Sequence, residues 1–190
     1  IQVEHPSYDF PESVLPGQAQ ARQQLGVSGD VILFFGFIRP YKGLRVLLDA
    51  MTEVLAQCQC TLIIAGEIWG DSKEYTALIA QLGIADKVKF VGDYIPQHEV
   101  SAYFLASDLV VLPYLSATGS GVVKLAYSYH RPVLVTEVGS LPDAVREGET
   151  GYVVPPGDAS AMANSIVAHL QRSDRLAMEE AISRHVRQFS

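Results

Sequence analysis

Arg39 and Lys42 stand three residues apart in the run Gly36-Phe37-Ile38-Arg39-Pro40-Tyr41-Lys42-Gly43. A guanidinium can clamp two phosphate oxygens at once, and an ammonium adds a compact point charge. Glycines at either end let the backbone turn tightly, and the helical pattern that follows presents backbone N–H groups to an anion. That combination suits a diphosphate. A solvated loop with two incidental cations has the same spacing, and spacing alone leaves both readings open. The run matches neither the Walker A pattern nor Gly-x-Gly-x-x-Gly, which argues against a mononucleotide P-loop and against an NAD-type fingerprint.

A second candidate is residues 115–121 (LSATGSG), again opening a helical pattern. Ser116, Thr118 and Ser120 offer hydroxyls, and Gly119 and Gly121 let a ligand approach the backbone at a helix N-terminus. An ordinary capped turn uses the same residue types. Gly139-Ser140-Leu141-Pro142 is a third turn, read from its spacing as a strand-to-helix connection. His5, His98, His130, His169 and His185 share no spacing that would hold zinc or complete a Ser-His-Asp arrangement. Cys58 and Cys60, with no further Cys or His nearby, read as buried thiols. The acidic pairs Glu147/Glu149 and Glu179/Glu180 read as solvated faces, and Trp69 with Tyr75 as packing before pocket lining.

Such loops need a scaffold to bring them together. Residues 31–36 (VILFFG), 61–66 (TLIIAG), 88–92 (VKFVG), 109–113 (LVVLP) and 132–136 (PVLVT) are continuous apolar runs of strand length. That is the pattern of strands buried on both faces of a parallel sheet. Between and after them lie helical patterns over 43–58, 71–82, 97–106, 121–129, 159–170 and 173–189. Five strand–helix alternations predict a doubly wound, Rossmann-like parallel α/β sheet, with right-handed crossovers placing every strand's carboxyl end on one ligand-binding edge. Residues 7–18, punctuated by Pro and Gly, read as a loop leading in.

With 190 residues, 48% of them hydrophobic, the chain accommodates one full domain with a substantial core. A formal charge of −7 argues against an electrostatic nucleic-acid binder. No apolar run reaches the length of a transmembrane helix. The chain starts at Ile1 without a methionine or a signal peptide, which reads as a piece of something longer.

Six blocks carry a family resemblance: Gly36-x-x-Arg39-x-x-Lys42-Gly43; Ile64-Ala65-Gly66; Val88-Lys89-Phe90-Val91-Gly92; Ala106-Ser107-Asp108-Leu109-Val110-Val111-Leu112-Pro113; Arg131-Pro132-Val133-Leu134-Val135-Thr136; and Gly148-x-x-Gly151-Tyr152-Val153-Val154. In that order they resemble the C-terminal domain of group-1 retaining glycosyltransferases, which have the two-Rossmann-domain architecture called glycosyltransferase-B. The resemblance implies that 17–172 is a domain binding a nucleotide-diphosphate-sugar donor. It implies a connecting arm at 1–16 from an absent N-terminal domain, and a C-terminal helix at 173–190 that touches that domain. Arg39 and Lys42 are then the cationic, catalytic pair on the diphosphate, with Gly36 at their turn. Ser116, Thr118, Gly119, Ser120 and Gly121 face donor phosphate and sugar, and Val91 and Gly92 face the nucleobase. The donor is a substrate, and neither a cofactor nor a metal is implied. A carbohydrate or lipid-linked acceptor would come from the other domain, in bacterial polysaccharide or glycolipid synthesis, in the cytoplasm or at the inner face of the membrane.

This sequence departs from the family pattern at two places. Phe37 stands where the family's arginine follows the glycine. The stretch from Ala117 to Leu125 lacks both carboxylates of the family's Glu-x7-Glu element. Its Ser-Ala-Thr-x-Ser-Gly loop resembles a variant branch of the same family. Two alternatives stay open on these residues: a non-catalytic pseudo-glycosyltransferase module, and a sugar-nucleotide epimerase of the same architecture.

Overall fold

The computed structural model of the chain describes residues 17–187. Its centre is a six-stranded, all-parallel sheet of β1 (Asp30–Phe35), β2 (Cys60–Ala65), β3 (Val88–Val91), β4 (Leu109–Leu112), β5 (Val133–Thr136) and β6 (Gly151–Val154). The strand order is β3-β2-β1-β4-β5-β6. Every residue of β4 and β5 and the central four of β1 are buried, so these runs have no polar face to give to water.

Among the described residues seven α-helices cover the two faces: α1 (Gln18–Leu25), α2 (Leu44–Leu55), α3 (Ser72–Gln81), α4 (Gln97–Ala106), α5 (Gly121–Ser128), α6 (Ala159–Gln171) and α7 (Arg175–Arg187). Alternation along β1 divides the core. Ile32 and Phe34 pack with Leu47, Leu48 and Met51 of α2 and Met162 and Ile166 of α6. Val31 and Leu33 pack with Leu25 of α1, Phe104 of α4 and Val123 and Ala126 of α5. Helix α7 joins both layers, with Met178 in the first and Ile182 in the second.

The amino end of the sheet is closed by polar contacts. The Asp108 carboxylate accepts from the Val31 backbone N–H at 2.7 Å and from the Arg22 guanidinium at 2.6 Å. Arg175 pairs with Asp30 at 2.7 Å, and Arg131 with Glu179 at 2.6 Å. The carboxyl end is arranged differently. The order reverses between β1 and β4, which pair through Ile32↔Leu109 and Leu33↔Val110. The loops after those two strands therefore leave the sheet side by side, at the position where open α/β sheets bind ligands.

Two elements differ from the sequence expectation. Strand β6 is a sixth strand between Thr150 and Pro155; it opens on Gly151, which leaves only Tyr152, Val153 and Val154 as an apolar run. Helix α1 begins at Gln18, inside the expected 7–18 loop. It buries only Ala21 and Leu25, so tertiary docking on α4 rather than an amphipathic stripe selects it. The rest of that loop, the arm at 1–16 and the end of the last helical stretch lie outside the described residues.

Candidate functional site

Beyond β1 the chain continues alongside the loop that follows β2. Gly36 N–H donates to Ala65, Ile38 N–H to Glu67, and Trp69 N–H to Ile38, at 2.9–3.1 Å. Gly66 makes this possible: a Cβ there would lie 2.1 Å from the Gly36 carbonyl oxygen. The pairing brings Trp69 beneath Arg39, whose guanidinium carbon sits 4.0 Å from the indole centroid. Phe37 meets the same indole edge-on at 5.9 Å. Trp69 and Phe37 are both about half exposed.

A single 3-10 turn, Pro40–Lys42, then delivers the chain to α2. Gly43 caps that helix at φ +68°, and a Cβ would come 1.8 Å from the Pro113 carbonyl oxygen. Glycine is thus required twice here, for the left-handed backbone and for contact with the end of β4. Leu115 N–H closes the contact by donating to Tyr41 at 2.8 Å.

That junction sets the course of Lys42. Its ammonium donates to the Tyr114 hydroxyl at 2.7 Å and lies 3.9 Å from the centre of the ring. The hydroxyl in turn lies 3.2 Å from Ser120 Oγ, which accepts from Val122 N–H as the N-cap of α5. Burial lowers the Lys42 pKa, with the Arg39 charge adding to the effect, and burial pushes the Tyr114 phenol up to about 12. The phenol therefore stays protonated at neutral pH and meets the ammonium as a neutral hydroxyl.

The structure brings Gly36, Lys42, Ser120 and Gly121 to one place, with Gly36 also beside Val122. Ser116, Thr118, Gly119 and Gly121 are exposed on the rim, and around Gly121 a Cβ would meet nothing within 4 Å. Arg39 points instead to the β2 loop. Val91 ends β3 and Gly92 follows it, and β2 separates that strand from β1. The Val91 and Gly92 carbonyls accept from Gly66 N–H at 3.0 Å and Ile68 N–H at 3.3 Å. Gly139, read as part of a simple turn, does more than turn: at φ +53° it packs where a Cβ would lie 2.1 Å from the Ala117 carbonyl oxygen. Ser140 then holds the Thr118 carbonyl through its N–H at 3.1 Å and its hydroxyl at 2.8 Å. Tyr114 escaped the sequence reading, although a tyrosine directly after Pro113 at a strand's carboxyl end was a usable signal. Among the described residues no three His, Cys, Asp or Glu side chains are grouped to hold a metal ion.

Comparison with known proteins is consistent in direction. The family described as Glycosyl transferases group 1 matches residues 29–172. The D-inositol 3-phosphate glycosyltransferase of Corynebacterium efficiens is 32% identical over 90% of this chain and 42% of its own length. This chain thus spans less than half of that relative. The C-terminal domain of a group 1 glycosyl transferase from Francisella tularensis superposes with a TM-score of 0.80 at 23% identity, covering 90% of this chain and 92% of that one. HepE of Anabaena, solved in complex with UDP and glucose, gives a TM-score of 0.74 at 25% identity over 89% of this chain and 46% of that one.

Proposed function

The chain belongs to the group 1 glycosyl transferases, and from that premise we propose that it is the donor-binding half of its enzyme, holding a nucleotide-diphosphate-sugar at the switch point between β1 and β4. One observation carries the reading: a half-buried lysine ammonium and the N-terminus of α5 meet over an open glycine edge. A partly desolvated cation attracts a phosphate oxygen more strongly than a hydrated one, and a helix N-terminus adds fixed positive charge. As the sugar departs to an acceptor, negative charge grows on the diphosphate, and Lys42 with α5 stabilises it without rearranging. Arg39 completes the clamp by leaving Trp69, whose exposed cation–π contact holds it by roughly 0.5–1 kcal/mol. The UDP complex of HepE supports a nucleoside diphosphate as the ligand class.

In this reading residues 17–172 bind the donor, and the arm at 1–16 and the segment 173–190 face the other half. That half supplies the site for a carbohydrate or lipid-linked acceptor, so the chain alone binds without transferring. The donor is a substrate, and no cofactor or metal is assigned. No helix among the described residues is long and apolar enough to cross a membrane. Work in the cytoplasm or at the inner face of the membrane fits two cysteines that are both free thiols.

Titration calorimetry with UDP and GDP tests the site. Replacing Lys42 and Arg39 together by Ala should weaken binding at least about tenfold, the scale of charged hydrogen bonds at roughly 1.5–3 kcal/mol each. The melting temperature should shift by no more than about 4 °C, since Tyr114 keeps its Ser120 partner. Unchanged affinity for both nucleotides in the double variant would overturn the assignment.

A further inference from the structure

We propose that Tyr114 is a positioning residue for this site: it fixes the Lys42 ammonium and orients the Ser120 hydroxyl so that both present only hydrogens to the donor diphosphate. The proposal rests on the diphosphate reading above and adds to it a residue that touches no ligand.

Hydrogen-bond polarity orders the three side chains. Lys42 has donors and no acceptor, so at 2.7 Å the Tyr114 oxygen must accept. Between the phenol and Ser120 Oγ, 3.2 Å apart, either oxygen can donate; the direction that gives the buried phenol's own hydrogen a partner is Tyr114 to Ser120, since the ammonium offers it no acceptor. Ser120 Oγ already accepts from Val122 N–H, also at 3.2 Å. With both acceptor positions of that oxygen taken, its hydroxyl hydrogen is left to point away from the protein, toward the edge where Gly121 leaves open space. Lys42 likewise keeps two further N–H groups. A lysine, a tyrosine and a serine in series thus convert a mixed polar loop into a surface of donors, the polarity that an anion requires. Chains of this kind strengthen one another when partly shielded from water.

Tyr114 is suited to the task because its ring is packed and its backbone is tied down. Its side chain is buried, and its backbone carbonyl accepts from the buried Thr136 hydroxyl at 2.6 Å.

The test is a thermodynamic cycle on the 190-residue chain, with UDP as the probe. Tyr114→Phe keeps the ring and removes the relay. It should weaken UDP binding about threefold to tenfold, and in a Lys42→Ala background by less than about twofold, because the two residues act through one interaction. Lysine labelled with 13C supplies an independent readout. The Lys42 Cε resonance, assigned by its absence in Lys42→Ala, should shift in Tyr114→Phe, which a residue of purely structural importance would not cause. Equal losses in both backgrounds, or no loss in Tyr114→Phe, would overturn the proposal and leave the diphosphate site standing. If Lys42→Ala alone leaves UDP affinity unchanged, the diphosphate reading fails and takes this one with it. Should Tyr114→Phe not fold, Ser120→Ala breaks the relay at its outer end without touching the buried ring. The same coupling to Lys42 is expected, and its absence is equally fatal.

Discussion

The Arg39 guanidinium, 4.0 Å above the Trp69 indole, has two claims on it. The indole offers an exposed cation–π contact, and the diphosphate would offer charged hydrogen bonds of larger magnitude. Donor binding then includes the work of lifting Arg39 away, and removing the indole should remove that work. Trp69→Ala is expected to strengthen UDP binding by up to about fivefold, equivalent to the roughly 0.5–1 kcal/mol of an exposed pair. Calorimetry on the purified variant checks the sign, and a weakening would mean that the indole itself touches the nucleotide. The same residues show what spacing conveys. Arg39 and Lys42 are legible as a cationic pair on the right loop, because a glycine turn and two cations before a helix are a local pattern. Their separate destinations are not legible. Trp69 and Tyr114 lie thirty and seventy-two positions away from their partners, and only the β2 and β4 loops bring them in. Trp69 also reads differently in place: at 56% exposure it supports Arg39 instead of filling a core.

Among the elements, the short loops at the carboxyl edge are built by glycines with opposite roles. Gly139 is needed by the fold, since its left-handed backbone and the 2.1 Å approach to Ala117 leave no room for a methyl group. Gly121 is not: its backbone is ordinary and the space around it is empty. Substitution therefore separates fold from function. Gly139→Ala should lower stability by about 1–3 kcal/mol, the usual magnitude for enforced backbone strain. Gly121→Val should leave stability within about 1 kcal/mol, since valine is a better helix residue than glycine. It should nevertheless weaken UDP binding roughly tenfold if the donor lies against the start of α5. Melting curves and calorimetry on the same samples decide the matter; a destabilised Gly121→Val with normal affinity would make the loop a mere helix cap. Long apolar runs such as 31–36 made β1, β2, β4 and β5 visible in the sequence, because a parallel strand buried on both faces leaves few polar positions to blur it; β3, an edge strand that is half-buried throughout and carries Lys89, was visible from its β-forming residues instead. Strand β6 and helix α1 were obscured because they hold their places by pairing with β5 and by docking on α4, which no local pattern records.

Across the whole molecule the two ends of the sheet do different work. The carboxyl edge keeps Phe37, Tyr41, Trp69, Tyr94 and Leu115 exposed, whereas the amino edge is closed by ion pairs and by His169. His169 is buried with its Nε2 3.1 Å from the Asp108 carbonyl oxygen and its Nδ1 3.2 Å from the Tyr152 hydroxyl. The carbonyl can only accept, so Nε2 carries the hydrogen and the neutral ring satisfies both neighbours. A second proton would force the Tyr152 bond to reverse and place a charge in the core beside Arg172 and Arg175. Burial accordingly lowers the pKa from 6.5 to about 4. With the folded value below the unfolded one, acid favours the unfolded chain. The contribution of a neutral His169 is complete above pH 6.5 and is lost as the pH falls from there toward 4. By about pH 5 the loss amounts to about 2 kcal/mol, or roughly 4–8 °C in melting temperature for a chain of this size. His185, also lowered by burial, acts in the same direction. Asp174, held below 3.8 chiefly by its hydrogen bonds from Arg172, enters only at lower pH. Melting curves from about pH 7.5 to pH 5 should therefore fall steeply in the unmodified chain and markedly less in His169→Gln, which starts from a lower stability but has no such proton to bind. Parallel curves for the two proteins would show that the acid sensitivity arises elsewhere than at the closed edge.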